Sequence, residues 1–244
     1  MKGIFENVDQ AYELLSQSLE KARLEESNLS DGTEIANFIL KMFGMSGKKW
    51  RHFLNNLASI DGVRYSEVGS HTGSTLCSAI YKNANIQKIS TLDNWSQFSD
   101  ENTKNSLQHN VSATATMSGF DKEKINSIIS LFEGDFNTFD FKSLEPIDIY
   151  FFDGPHKEND QYNGIVKAYD ALADISIILV DDWNWGGPKR GTNKALENLN
   201  LTVHHRCEIF THPETYDSKT GAINRFQNSA WHNGVAMFIV SKNK

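Results

Sequence analysis

Apolar residues follow two different spacings along the chain, and the change falls near residue 62. Before it, AYELLSQSLEKARLEE, SDGTEIANFILKMFGM and KKWRHFLNNLASI place apolar side chains three or four positions apart, the spacing of helices with one buried face. The second stretch opens on Ser30 or Asp31 as a cap, with Glu34 following. Residues 1–62 therefore read as a helical extension. From Arg64 onward the pattern alternates. RYSEV, KISTLD, SIISLFEGD, IDIYFFD and SIILVDD read as strands, separated by helical stretches such as STLCSAIYKN, ENTKNSLQHNVSA and NDQYNGIVKAYDALA. A short helix, NKALENLN, follows the last of these strands. Strands as apolar as IDIYFF and SIILV are covered on both faces, which predicts an α/β fold with a mostly parallel sheet between helices. LTVHHRCEIF and WHNGVAMFIVSK then close the chain with no helix between them, so the sheet should end in an antiparallel hairpin. The polar stretch joining them, Thr211 to Ser229, is long for a plain loop and is a candidate substrate-facing segment.

The chain of 244 residues is long enough for one large core, and 39% hydrophobic and 11% aromatic residues suit a globular protein. A net charge of -7 argues against nucleic acid as a partner, since phosphate contacts need clustered Lys and Arg. Cys77 and Cys207 are too few for a disulfide framework, and their apolar neighbours mark them as buried thiols. No signal peptide and no membrane-spanning run is recognisable, so a cytoplasmic protein is the expectation.

The stretch YSEVGSHTGSTL carries the first candidate chemistry. A strand breaks into a turn with Gly69 and Gly73, and Ser74 or Thr75 opens a helix. Glycines there let the backbone adopt positive φ and approach a ligand. The dinucleotide fingerprint G-x-G-x-x-G fails, because His71 stands where its second glycine would be. Instead an acidic residue, Glu67, precedes the first glycine by two. Asp93 ends the next strand, where a carboxylate can accept ribose hydroxyls. Asp135 ends the one after, where it could accept from an adenine amino group with Phe136 against the ring.

Glu67 to Ser74, Asp93 in TLDNWSQF, Gly134-Asp135 and Asp153 in FFDGPH resemble the successive motifs of class I S-adenosylmethionine-dependent methyltransferases. The resemblance runs from about Arg64 to the C-terminus, and the FFDGPH and VDDWNW pair is most similar to bacterial small-molecule and sugar O-methyltransferases. It implies a Rossmann-like, seven-stranded domain over 63–244. It implies that Glu67, Gly69, Ser70, Gly73 and Ser74 cradle the methionine part, that Asp93 takes the ribose and Asp135 the adenine. Trp95 and Phe136 would pack on the adenine, and Asp153 would lie near the methionine amine and the substrate.

A second group follows two strongly apolar strands. Asp153, Asp181 and Asp182 would offer three carboxylates, a candidate site for Mg²⁺, which takes oxygen ligands. The family's metal-using sugar enzymes carry a further Asp where Pro155 stands here, and capping or loop fixing is the other role open to Asp181 and Asp182. His156, three residues past Asp153, is the candidate general base, because an imidazole titrates near neutral pH. His71 is expected to be a wall of the turn, and His204, His205, His212 and His232 show no metal-ligand spacing. Trp183 and Trp185, with Lys189 and Arg190, could floor an acceptor pocket or pack beneath the N-terminal helices.

The expectation is methyl transfer from S-adenosylmethionine to a small-molecule acceptor, most simply an oxygen nucleophile, with Asp153 and His156 at the chemistry. An NAD-dependent oxidoreductase and a nonenzymatic cofactor-binding domain are the alternatives. The N-terminal helices would serve as edge packing, a substrate lid or the contact of a homodimer.

Overall fold

The computed structural model of the protein describes residues 1–211 and 230–243. The candidate substrate-facing stretch from 212 to 229, with His212, lies outside the described residues.

Three helices come first. Helix α1 (Val8–Arg23) starts where the Asn7 side chain accepts the Gln10 N–H, and it carries Lys21 and Arg23 at its negative end. Helix α2 (Glu34–Lys41) is capped by Thr33, which accepts the Ala36 N–H. The expected caps sit earlier: Ser30 ends a short 3₁₀ turn, and Asp31 accepts the Thr33 N–H at 2.9 Å. Helix α3 (Lys48–Leu57) buries its whole length from Trp50 to Asn55.

The sheet has seven strands in the order β3-β2-β1-β4-β5-β7-β6. Strands β1 (Arg64–Val68), β2 (Lys88–Asp93), β3 (Ile129–Glu133), β4 (Ile147–Phe152) and β5 (Leu172–Val180) are parallel neighbours. Strand β7 (Val235–Lys242) inserts between β5 and the edge strand β6 (Leu201–Ile209), antiparallel to both. Helix α4 (Ser74–Ile80) follows β1, α5 (Thr103–Met117) follows β2, α7 (Glu158–Ala168) follows β4 and α8 (Gly186–Asn198) follows β5.

Successive strand residues face opposite ways, and two hydrophobic clusters result. Tyr65, Phe151 and Leu179 join Leu15, Ile39 and Phe53 of the three N-terminal helices in one cluster. Tyr150, Phe152 and Val180 pack with Ile165 of α7 and Leu196 of α8 in the other. The N-terminal helices are thus part of a sheet-covering layer.

Two elements depart from the sequence reading. Helix α6 (Lys122–Ile128) takes Ser127 and Ile128 from the expected third strand. It is a seven-residue helix with no buried side chain, held by Asp121 accepting the Lys124 N–H, so it leaves no apolar period to read. Helix α8 starts seven residues before the expected NKALENLN, at Gly186. Pro188 falls in its first turn, where the missing N–H would have had no intrahelical partner. Among the described residues no helix is long and apolar enough to cross a membrane.

Candidate functional site

The site forms where β1, β2 and β4 end. Gly69 leaves β1 at φ +94, and a Cβ on it would lie 1.9 Å from the Asp153 carbonyl oxygen, so only glycine fits. Its N–H reaches the Leu92 carbonyl at 3.0 Å, while the Asp153 N–H reaches Val68 at 2.9 Å, which stitches the three strand ends together. Asp93 fastens the loops above: Oδ2 accepts the His71 N–H and Oδ1 the Trp95 N–H, each at 2.8 Å. His71 and Trp95 both take left-handed backbone, at φ 47, and Gly73 does so at φ +93. Such conformations cost free energy and gather at sites the surrounding fold over-determines.

A cavity of about 690 Å³, counting its open mouth, lies above this turn. Gly69, Ser70, Ser74, Asp93, Asp153 and His156 all line it. The Ser70 hydroxyl and His71 Nδ1 are buried with no hydrogen-bond partner, so the wall carries polar atoms that a ligand could satisfy. The N-terminal segment supplies a further wall, Gly44 to Ser46, which the sequence did not reveal.

Five expected cofactor contacts stand off this wall, among them Gly73, where a Cβ would lie 2.8 Å from Leu107 Cδ1. Glu67 is wholly buried behind it, accepting from the Tyr65 hydroxyl at 2.7 Å and the Thr75 hydroxyl at 2.9 Å. Burial pushes its carboxyl up to about 7, against those two hydrogen bonds and with help from the Asp93 charge. Trp95 donates its indole N–H to the His71 carbonyl at 3.2 Å and packs against the core. Asp135 is exposed and accepts from the Asn137 N–H at 2.8 Å, fixing the turn after β3. Phe136 is buried edge-on against Phe152, with ring centres 5.3 Å apart.

The other strand ends add a chain of carboxylates and imidazoles. Burial first, then the charges of Asp181, Asp182, Glu67 and Asp93, push the half-buried Asp153 carboxyl well above its ordinary value. Asp182, at φ 54, accepts the His156 Nε2–H at 2.5 Å and the Asn233 side-chain N–H at 2.8 Å. Burial opposes the charge of both partners, yet their mutual bond wins: Asp182 is held below its usual range and His156 above its own. His232, judged scattered by spacing, comes in beside them, with Nδ1 3.4 Å from Asp181 Oδ2. It arrives on the turn before β7, where Gly234 and Asn233 carbonyls accept from Trp183 and Asn184. Trp185 sets its edge on the His156 ring at 4.7 Å, whereas Trp183 is wholly buried against Phe238.

The three carboxylates expected to hold Mg²⁺ do not converge as a set. Asp153 groups with His156 and Asp182, and Asp181 groups with Asp182 and His232. Each group contains a nitrogen, and Asp182 already accepts from His156 and Asn233. A hard cation wanting near-octahedral oxygen does not fit this donor set. Of the thiols, Cys77 is buried and Cys207 half-buried, both unpaired.

A family of methyltransferase domains matches residues 66–183. No curated protein sequence matches the chain. Among solved structures, an S-adenosylmethionine-dependent O-methyltransferase from Thermotoga maritima shares the fold with a TM-score of 0.57 and 14% identity, over 87% of this chain and 72% of that one. A Bacillus cereus O-methyltransferase in complex with S-adenosylhomocysteine is similar with a TM-score of 0.54 and 14% identity, over 92% and 91%. A candidate RNA methyltransferase from Pyrococcus horikoshii gives 0.54 and 15%, over 87% and 99%. Over residues 66–183 the chain matches the methyltransferase-domain family, and its strand order is the class I methyltransferase fold that these structures share.

Proposed function

We propose that the protein methylates an oxygen nucleophile on a small-molecule acceptor. One observation carries the choice of cofactor. Asp93 and Asp153 line the cavity, Glu67 lies behind it and Asp181 and Asp182 adjoin it; burial first, and then these neighbouring charges, lift Asp153 well above its ordinary range. Carboxyls crowded and buried in this way ionise together only beside a positive charge, so the site favours a cationic ligand and opposes a pyrophosphate. When bound there, S-adenosylmethionine supplies an electrophilic methyl group on a sulfonium, and its amino-acid end carries an ammonium. Asp153 is the residue placed to receive that ammonium, and Asp93 has lone pairs left for sugar hydroxyls.

His156 is the base. Its Nε2–H is held by Asp182, which leaves Nδ1 as the acceptor of a proton from the attacking hydroxyl. The imidazolium so formed is stabilised by Asp182, as in any base oriented by a buried carboxylate. No step needs a metal ion. The net charge of -7 favours a small molecule over RNA as acceptor.

Calorimetric titration tests the reading. S-adenosylhomocysteine should bind while NAD does not, and binding of NAD alone would return the oxidoreductase alternative.

A further inference from the structure

Helix α3 holds a buried cation that no carboxylate among the described residues neutralises. Arg51 is 3% exposed. Its Nε donates to the Ser46 hydroxyl at 2.9 Å and its Nη1 to the Ile39 carbonyl at 2.7 Å, both neutral acceptors. Among the described residues no carboxylate lies within ion-pair distance of it. Cys77 is the titratable neighbour, and burial pushes that thiol up to about 12, so it is uncharged. Burial brings the guanidinium down only to about 10, which leaves it protonated at neutral pH. Buried charges in proteins are normally paired, because desolvation is otherwise uncompensated.

The geometry leads from Arg51 into the cavity. Ser46 lies on the cavity wall, with its hydroxyl 3.2 Å from that of Ser74 on the same wall. Gly44 completes this side, and a Cβ there would lie 2.2 Å from Ser74 Oγ and 3.6 Å from Arg51 Nη2. Gly44 thus lies between Ser74 on the cavity wall and Nη2, which makes no hydrogen bond among the described residues. The opposite side of the same cavity is acidic, with Asp93 and Asp153. The cavity is bipolar, and an ammonium and a carboxylate on one ligand would satisfy both sides.

We propose that Arg51 is the counter-charge for a ligand carboxylate, acting with the Ser46 and Ser74 hydroxyls. This rests on the methyl-donor reading and deepens it: the helical extension, rather than the glycine turn, selects a nucleoside bearing an amino acid.

Calorimetry on the wild-type protein with S-adenosylhomocysteine and with its decarboxylated analogue provides the test, since the two ligands differ by the carboxylate alone. Losing a charged, desolvated hydrogen bond should weaken the analogue about ten- to hundredfold. Arg51→Met should weaken S-adenosylhomocysteine by a similar factor and leave the analogue unchanged, with Arg51→Lys falling between. Equal, tight binding of both ligands to the wild type would overturn the role of Arg51 and leave the methyl-donor reading intact. Equal weakening of both by Arg51→Met would do the same. Failure of both ligands to bind the wild type would remove the methyl-donor reading itself.

Discussion

Glu67 has a carboxyl that its surroundings keep protonated far above the usual range, to about 7 from 4.5. The folded protein therefore holds this proton more tightly than the unfolded chain does. Between pH 4.5 and 7 the contribution of Glu67 to stability falls as pH rises, by about 3 kcal/mol in all. Urea unfolding across that window should show a flatter pH slope for Glu67→Gln than for the wild type. Identical slopes would mean that Glu67 ionises normally in the fold. His156 makes the opposite kind of claim, since it works only when it has lost its proton. Activity should rise with pH through a midpoint above the ordinary imidazole value, because Asp182 holds the proton on. His156→Ala should cost about 10²- to 10⁴-fold in kcat and abolish that limb. An unchanged kcat and profile would take the base away from His156. Single residues were the least legible feature of the sequence. Asp153 and His156 announced themselves because they follow the end of one strongly apolar strand. His232 lies 50 residues beyond Asp182, on a turn with no apolar pattern, and only the pairing of β7 with β5 brings it to the site. Arg51 sits inside an ordinary amphipathic helix, where the lack of a carboxylate beside it among the described residues is a tertiary fact.

Elements were read best where burial on both faces left continuous apolar runs. Strands β4 and β5 are of that kind, and their register, Phe151 beside Leu179, puts Asp153 and Asp181 at adjoining ends. The turn at Gly69 was also legible, because a left-handed backbone next to another strand's carbonyl leaves no choice of residue. Helix α8 was half missed, since Gly186, Gly187 and Pro188 look like a loop until their place in a first turn is known. Phe136 shows the converse error. Its place beside Asp135 suggested a ligand contact, but a residue at a strand end can turn into the core, as this one does against Phe152.

At the scale of the molecule, the sheet has two ends with different duties. The carboxyl ends carry the cavity. At the other end Asp148 is wholly buried and accepts from the Arg64 Nε and Nη2 at 2.7 Å each, from the Arg64 N–H at 3.0 Å and from the Ile4 N–H at 2.9 Å. One carboxylate thus ties the N-terminal segment, β1 and β4 together. Asp148→Ala would strand the Arg64 charge and should cost about 3–5 kcal/mol in urea unfolding. The affinity for S-adenosylhomocysteine should not change under native conditions, and a variant as stable as the wild type would show that the cluster is strain rather than support. The order of the strands has a consequence of another kind. Among the described residues strand β6 pairs with β7 alone, and β7 also closes the apolar edge of β5. During synthesis the ribosome therefore releases β5 and β6 before the strand that must slot between them, and a nascent chain exposes two unpaired edges until residue 242 is free. In that interval the half-built sheet is sticky, and shielding by chaperones would matter most there.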